Sequence, residues 1–228
     1  MHKFNRHDLV WLHLSAVKHA ESAGPAPIEP ISALSVLHRW VLGNYPLIVA
    51  RQEALPLGQV RLGLAEPPSW GKRRLAFLVK TEDIARQQSG PLLEEVVHQL
   101  PEQWQAGLAA LVSGLQHAGV PAHVYGSSAI EVLTGLPCIT ANSDLDLLFK
   151  PATWADAEAL CALLSALRLS HPDLRIDGEV LNPAGDAVNW QELAMQCEQL
   201  LAKSNHCVRM MDLLEYQQSF ANPARSAA

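Results

Sequence analysis

The stretch from Tyr125 to Phe149, YGSSAIEVLTGLPCITANSDLDLLF, places two aspartates one residue apart in an apolar run. Successive side chains of a β-strand point to opposite faces, so Asp144 and Asp146 project to one face while Leu145 projects to the other. Two carboxylates held together without a cation repel each other at neutral pH. Mg²⁺ prefers oxygen ligands and usually takes one or two carboxylates together with substrate phosphates. The spacing therefore predicts a carboxylate pair that binds a hard divalent cation.

The same stretch opens with a Gly-Ser turn. Gly126 and Ser127 follow a short strand pattern and precede a short helix pattern at Ser128–Thr134. The N-terminus of a helix offers backbone N–H groups and the positive end of its dipole, which together suit a phosphate group. The turn and the two aspartates predict a metal-dependent site that acts on a nucleoside-type triphosphate.

The composition is that of a globular protein with a core. The chain has 228 residues, which suits one large domain or two small ones, and 49% of them are hydrophobic. A net charge of −6 gives no general reason to expect nucleic-acid binding, which favours basic surfaces. The four cysteines form no CxxC pair, which favours a reducing cytoplasm over a disulfide framework. No apolar stretch reaches membrane-spanning length, so we expect a soluble cytoplasmic protein with no membrane partner.

Residues 1–85 predict a small N-terminal α+β module for binding the substrate or carrier. The helix pattern ends at a glycine, and turns that contain proline or glycine separate short apolar strands. The predicted elements are a helix at Ser32–Gly43 and strands at Pro46–Arg51, Val60–Leu64 and Arg74–Lys80. The polar segment Thr81–Pro91 predicts the boundary to a second domain at residues 90–228.

The second domain alternates helix and strand patterns and places its carboxylates on neighbouring strands. Helices are predicted at Pro101–Gly119, Ser128–Thr134, Thr153–Leu169 and Trp190–Lys203, and strands at Ala122–Tyr125, Ser143–Phe149 and Leu174–Val180. We predict the α+β fold class, with a mixed sheet and helices in this catalytic domain.

A third acid, Asp177, falls in the strand pattern LRIDGEV, on the same face as Arg175. Two ordinary interpretations compete with a metal site. RIDGE also fits a turn with Asp-Gly at its corner, and a D-x-D pair on its own fits an edge strand with solvated acids. The Gly-Ser turn upstream, the apolar continuation LDLLF and the later acid together favour the metal site.

These motifs resemble a known superfamily. A Gly-Ser turn, a D-x-D strand and a later acid on a strand are typical of nucleotidyltransferases with a polymerase-β-like palm. The segments that are similar to one narrower family are RHDLVWL, PLIVAR…LGLAEPP…KRR, GSSAIEVLTGLP, SDLDLLF, RIDGEV, VNWQELA and LLAKS. That family is the phosphoribosyl-dephospho-CoA transferase of malonate decarboxylase, also called its holo-acyl-carrier-protein synthase. The similarity spans essentially the whole chain, and we interpret Leu136–Asn142, in a rather long spacer, as an inserted loop.

The resemblance implies attachment of a prosthetic group. The donor would be 2′-(5″-triphosphoribosyl)-3′-dephospho-CoA, the acceptor a serine of the acyl carrier protein subunit of malonate decarboxylase, and the leaving group diphosphate. Asp144 and Asp146 would bind Mg²⁺ or Mn²⁺. Asp177 would complete a second metal site or act as a general base. Gly126 and Ser127 would hold the donor phosphates.

Four cationic residues are weaker candidates for phosphate binding. Lys72, Arg73 and Arg74 form the densest positive cluster of the chain, and they equally fit a solvated loop or a surface for an acidic carrier. Lys203, at the end of a predicted helix, either complements the helix dipole or faces the triphosphate.

Two other functions stay open from the sequence. One is a nucleotidyltransferase that uses an ordinary nucleoside triphosphate, which nucleotide consumption without a CoA-like donor would indicate. The other is a non-catalytic binding module, which a lack of divalent-metal binding would indicate.

Overall fold

The computed structural model describes residues 4–23 and 32–221. The chain divides into two compact units, Met1–Gly90 with Ala129–Thr140, and Pro91–Ser128 with Ala141–Ala228. Within the described residues, each unit is built on a six-stranded sheet with helices. The α+β fold class predicted from the sequence is therefore confirmed.

The first unit contains one antiparallel sheet, whose strands share an apolar core with an α-helix. Its elements are β1 (Leu9–Leu12), β2 (Glu21–Ser22), α1 (Ala33–Leu42), β3 (Leu47–Val49), β4 (Gln59–Ala65), β5 (Arg74–Lys80) and β6 (Ile84–Gln88), with 3-10 turns at Leu14–Lys18, Pro68–Trp70 and Thr81–Asp83. The strand order is β2-β5-β4-β3-β1-β6. Ser32 caps α1 by accepting the Ser35 N–H at 3.2 Å, and Trp40 of this helix is fully buried in the core. The helix and the three strands predicted for this part of the chain are present.

The segment Thr81–Pro91, predicted as a polar boundary, contains a strand as well as the point, after Gly90, at which the first unit ends. β6 pairs antiparallel with β1, with Leu9 opposite Gln88 and Val10 opposite Gln87. It is the last strand in the order of the sheet, and most of its residues are exposed. Polar side chains are common on edge strands, where they discourage further pairing, so the apolar alternation that indicates a strand is missing here.

Residues 129–140 belong to the first unit although the chain reaches them from the second. Ile130 and Cys138 are buried in the first unit's core. The Glu131 carboxylate accepts the backbone N–H of Cys138 at 2.7 Å and that of Ile139 at 2.6 Å. The middle of Leu136–Asn142, the segment that we interpreted as an inserted loop, is therefore anchored by a side chain.

The second unit holds the other sheet and most of the helices. Its strands are β7 (Ala122–Val124), β8 (Leu145–Phe149), β9 (Ile176–Leu181), β10 (Ala187–Asn189), β11 (Gln199–Lys203) and β12 (Val208–Asp212). Its helices are α2 (Leu93–Val96), α3 (Gln105–Ala118), the start of α4 (Gly126–Thr134), α5 (Trp154–Ser170), α6 (Trp190–Ala194) and α7 (Leu213–Ala221), with 3-10 turns at Val97–Gln99 and Glu102–Trp104. The strand order is β12-β11-β10-β9-β8-β7, and the sheet is mixed because β8 and β9 are parallel while the other pairs are antiparallel.

The predicted helix at Trp190–Lys203 is wrong in its second half. α6 ends at Ala194, and Gln199–Lys203 forms β11, which pairs along its whole length with β12. Leu200 and Ala202 are fully buried while Leu201 between them is exposed, which is the alternation of a strand. Five residues are too few for that period to stand out from a neighbouring helical pattern. The predicted cap of α5 is confirmed, since Thr153 Oγ1 accepts the Asp156 N–H at 3.2 Å.

β8 is buried along its length except at Asp146. Leu145 and Leu147 are fully buried, and Asp146 between them is partly exposed. None of the helices in residues 4–23 and 32–221 combines the length and apolarity needed to cross a bilayer.

Candidate functional site

Asp146 and Asp177 lie side by side on two neighbouring strands. In the parallel register of β8 and β9 they are direct partners, with Leu145 opposite Ile176 on one side and Leu147 opposite Gly178 on the other. Directly paired residues of a sheet project from the same face. Two of the three acids singled out in the sequence are therefore adjacent.

Asp144 lies just before β8 rather than within it, because the strand begins at Leu145 and not at Ser143 as predicted. Its Oδ1 is 2.8 Å from Nε of Arg175, which stands one residue before β9. The same guanidinium donates through Nη2 to the carbonyl oxygen of Asn142. Arg175 therefore ties the start of both strands together and neutralises Asp144.

Asp177 belongs to a strand and not to a turn, so the alternative interpretation of RIDGE is wrong. Gly178 is buried within β9, where an added Cβ would lie 2.6 Å from the Phe149 ring and 3.0 Å from the Trp190 ring. The exposed Asp177 carboxylate accepts a hydrogen bond from Asn189 Nδ2 at 3.1 Å. That amide in turn caps α6, since Asn189 Oδ1 accepts the Gln191 N–H at 2.8 Å.

The Gly-Ser turn lies against Asp146. Gly126 has φ +64°, a region that favours glycine, and an added Cβ would be only 1.8 Å from Asp146 Oδ2. The backbone N–H of Tyr125 donates to the Asp146 carbonyl at 3.0 Å. Gly126 thus lets the backbone approach the carboxylate, and α4 begins there with Ser127 as its second residue. The neighbouring Ser128 is fully buried, and its Oγ has no hydrogen-bond partner within the described part of the chain.

Lys203 is placed on the same sheet, but in β11 and not at a helix end. Its Nζ is 2.9 Å from Oε1 of Glu179, a carboxylate that is only 6% exposed. Glu179 follows Asp177 by two residues in β9, so the two acids share a face. The ammonium group therefore compensates a buried acid, and a role for Lys203 toward phosphate stays a prediction.

The basic cluster Lys72, Arg73 and Arg74 belongs to the first unit. Arg73 makes two hydrogen bonds of 2.7 Å to the carboxylate of Glu66, which is buried. Lys72 and Arg74 are exposed, and Lys72 has φ +58° in the turn before β5. Arg73 thus stabilises the first unit, which leaves Lys72 and Arg74 as the exposed cations of the cluster.

A groove of about 630 Å³ is lined by the charged residues Asp144, Arg175 and Asp177. Leu164 and Trp190 contribute apolar wall to it. It has the volume of a typical small-molecule site and combines apolar walls with a few charged groups.

The donor atoms suit Mg²⁺ or Mn²⁺ held jointly with a substrate. Within residues 4–23 and 32–221, no three His, Cys, Asp or Glu side chains are grouped as a ready metal site. Asp144 is paired with Arg175, and Asp177 accepts a hydrogen bond from Asn189. Mg²⁺ needs only one or two carboxylates when phosphates fill other positions, and a carboxylate against the Gly126 turn meets that need. The residues therefore fit the predicted metal, which stays a prediction.

The sequence reasoning assigned no role to Arg175 and Glu179. Both alternate with Asp177 in the strand pattern, two residues before it and two after. Period-two spacing already places Arg175 on the face of Asp177, and the same spacing could have placed Glu179 there. Their pairing with Asp144 and Lys203 depends on other strands, which one strand's pattern does not reveal.

Comparisons with known proteins agree with the resemblance found in the sequence. The family model described as the phosphoribosyl-dephospho-CoA transferase MdcG N-terminal domain matches residues 5–89, and the one described as the MdcG C-terminal domain matches residues 92–213. No solved structure matches the chain.

Proteins named phosphoribosyl-dephospho-CoA transferase match nearly the whole chain. One from Xanthomonas campestris pv. campestris (strain 8004) is 40% identical, over 90% of this chain and 93% of that protein. One from Xanthomonas euvesicatoria pv. vesicatoria (strain 85-10) is 39% identical, over 98% of this chain and 99% of that protein. One from Bradyrhizobium diazoefficiens is 36% identical, over 91% of this chain and 89% of that protein. The chain belongs to the phosphoribosyl-dephospho-CoA transferase family, whose members are transferase enzymes.

Proposed function

We propose that this protein transfers the phosphoribosyl-dephospho-CoA group from 2′-(5″-triphosphoribosyl)-3′-dephospho-CoA to a serine of the malonate decarboxylase acyl carrier protein. The observation that carries the proposal is the direct pairing of Asp146 with Asp177 beside the Gly126 turn. Family membership supports the transferred group. The carrier and the diphosphate product rest on the resemblance alone.

In this reaction the serine oxygen attacks the α-phosphorus of the donor's triphosphate. A phosphodiester bond forms, the bond from the α-phosphorus to the bridging oxygen breaks, and diphosphate leaves with that electron pair. Catalysis of such a step depends mainly on positioning and on neutralising charge. Bound Mg²⁺ or Mn²⁺ supplies neutralisation of the phosphate oxygens, and Asp144 and Asp146 would hold it.

The remaining residues position the reacting groups. Gly126 permits the close approach of the turn to Asp146, so that the backbone N–H groups that follow it, with Ser127, can hold phosphate oxygens. Asp177 would accept the serine proton as a general base, or would hold a second metal ion. The carboxylate of Asp177 is exposed and held by Asn189, which leaves its second oxygen available for either role.

The test is intact mass spectrometry of the apo carrier subunit after incubation with the protein, Mg²⁺ and the donor. We expect a mass gain equal to the phosphoribosyl-dephospho-CoA group. Asp146→Asn and Asp144→Asn remove a metal-binding charge with little change in shape, so each is expected to slow transfer by about 10²-fold or more. The matched control is Asp173→Asn, because Asp173 is exposed and is not among the residues that line the groove.

Two outcomes would contradict parts of the proposal. Transfer by Asp146→Asn at the rate of Asp173→Asn would rule out the metal-binding role of Asp146. No mass gain with wild-type protein, verified donor and folded carrier would rule out this donor and acceptor. Consumption of an ordinary nucleoside triphosphate would then favour the other nucleotidyltransferase function.

A further inference from the structure

An ion pair at the start of the two parallel strands occupies one of the proposed metal ligands. Asp144 and Arg175 each precede their strand by one residue, and the register of β8 with β9 brings them side by side. The Nε–Oδ1 distance is 2.8 Å, and the guanidinium also bonds the Asn142 carbonyl. A cation that binds Asp144 must therefore compete with a cation that the chain itself supplies.

The ion pair between Asp144 and Arg175 is weak enough for a divalent ion to take the place of Arg175. The side chain of Arg175 is 52% exposed and that of Asp144 is 48% exposed, and ion pairs so open to water are weak. A divalent cation that binds Asp144 would therefore displace Arg175 from this carboxylate.

We propose that Arg175 competes with the metal ion for Asp144 and, once displaced, binds a phosphate of the donor. The inference rests on the proposed function. A planar guanidinium matches phosphate oxygens in a two-bond geometry, and Arg175 lines the groove next to Asp177. Metal binding frees the guanidinium and donor binding takes it up, so each ligand favours the other by the same factor. Arg175 thus couples metal binding to donor binding.

The test measures Mn²⁺ affinity without donor, from the electron paramagnetic resonance of free Mn²⁺. Removing a competitor of the strength of a surface ion pair is expected to make Arg175→Gln bind Mn²⁺ roughly two- to fivefold more tightly than wild type. The control is Arg168→Gln. Arg168 lines the same groove and is exposed, but no ion pair joins it to Asp144 within the described residues. This variant is expected to keep the wild-type affinity.

A second measurement addresses the donor. Arg175→Gln is expected to raise the KM for the donor at saturating Mg²⁺, so tighter metal binding and weaker donor binding occur in the same variant. A residue that only stabilised the fold would weaken both.

Three outcomes would overturn the inference. They are unchanged or weaker Mn²⁺ binding by Arg175→Gln, an equal gain in Arg168→Gln, and an unchanged KM for the donor. Lack of Mn²⁺ binding by wild type and both variants would overturn the competition, whereas the metal assignment, which counts donor phosphates among the ligands, is tested separately by Asp146→Asn in the carrier-loading assay. The carrier-loading assay would still decide separately whether the proposed activity exists.

Discussion

At the scale of single residues, Gly126 is required both by its backbone conformation and by its closeness to Asp146, because each leaves no room for a Cβ atom. Its φ of +64° disfavours any side chain, and a Cβ would lie 1.8 Å from Asp146 Oδ2. Gly126→Ala must therefore push the carboxylate away from its strand position. Because displacements of about 1 Å can cost 10²-fold in rate, we expect carrier loading to fall by roughly that factor.

Gly119 provides the control for this substitution. It has φ +65° at the end of α3, but an added Cβ would meet nothing within 4 Å. Gly119→Ala therefore introduces the same backbone strain, about 1–2 kcal/mol, without touching the site. Equal loading rates for the two variants would show that the approach of Gly126 to Asp146 is not needed for transfer.

Two buried cysteines lead to a prediction about pH. Burial, and then the charge of Glu131, raises the pKa of the Cys138 thiol from 9.0 to about 11. Burial, and then Glu158, does the same for Cys161. Only the thiolate reacts quickly with iodoacetamide, so at about pH 8 we expect peptide mapping to find exposed Cys207 modified well before either of them.

The same pKa values give the sign of a stability effect. Both thiols hold their proton more tightly in the folded protein than in the unfolded chain, so they stabilise the fold below about pH 9 and this contribution is lost as the pH rises toward 11. If Cys138 in the folded protein is modified as fast as Cys207, the burial of Cys138 and its raised pKa are both contradicted.

At the scale of secondary-structure elements, the sequence predicted what local spacing determines. The alternation in LDLLF and RIDGEV predicted β8 and β9, and Thr153 predicted the start of α5. It did not predict which strands pair. The direct contact of Arg175 with Asp144 depends on the parallel register of two strands about 30 residues apart. The local sequence pattern of one strand does not specify its register with another strand.

Two segments that the sequence misjudged, β6 and β11, share a physical cause. β6 is a polar edge strand, and β11 has only five residues and begins at Gln199, shortly after α6 ends at Ala194. Both are defined by hydrogen bonds to distant strands, β1 in one case and β12 in the other. Where tertiary pairing determines the conformation, local propensity is a weak guide.

At the scale of the whole molecule, each compact unit is made of two segments that are separate in the sequence. The sequence predicted two consecutive domains, 1–85 and 90–228. The compact units instead place Ala129–Thr140 with Met1–Gly90. The apolar residues of that segment, such as Ile130, look like those of any helix, and nothing local specifies that they join a core made by residues far earlier in the chain.

This division predicts which core substitutions loosen residues 129–140. Leu62 lies in the core of the first unit and Leu108 in that of the second, and both are fully buried. Each Leu→Ala change is expected to cost about 2–5 kcal/mol. Measured by hydrogen–deuterium exchange, Leu62→Ala is expected to accelerate exchange in 129–140 together with β4 and β5, whereas Leu108→Ala accelerates α3 and α5 and leaves 129–140 protected. If 129–140 instead follows Leu108→Ala, or both variants accelerate the whole chain equally, the segment does not take its stability from the first unit's core.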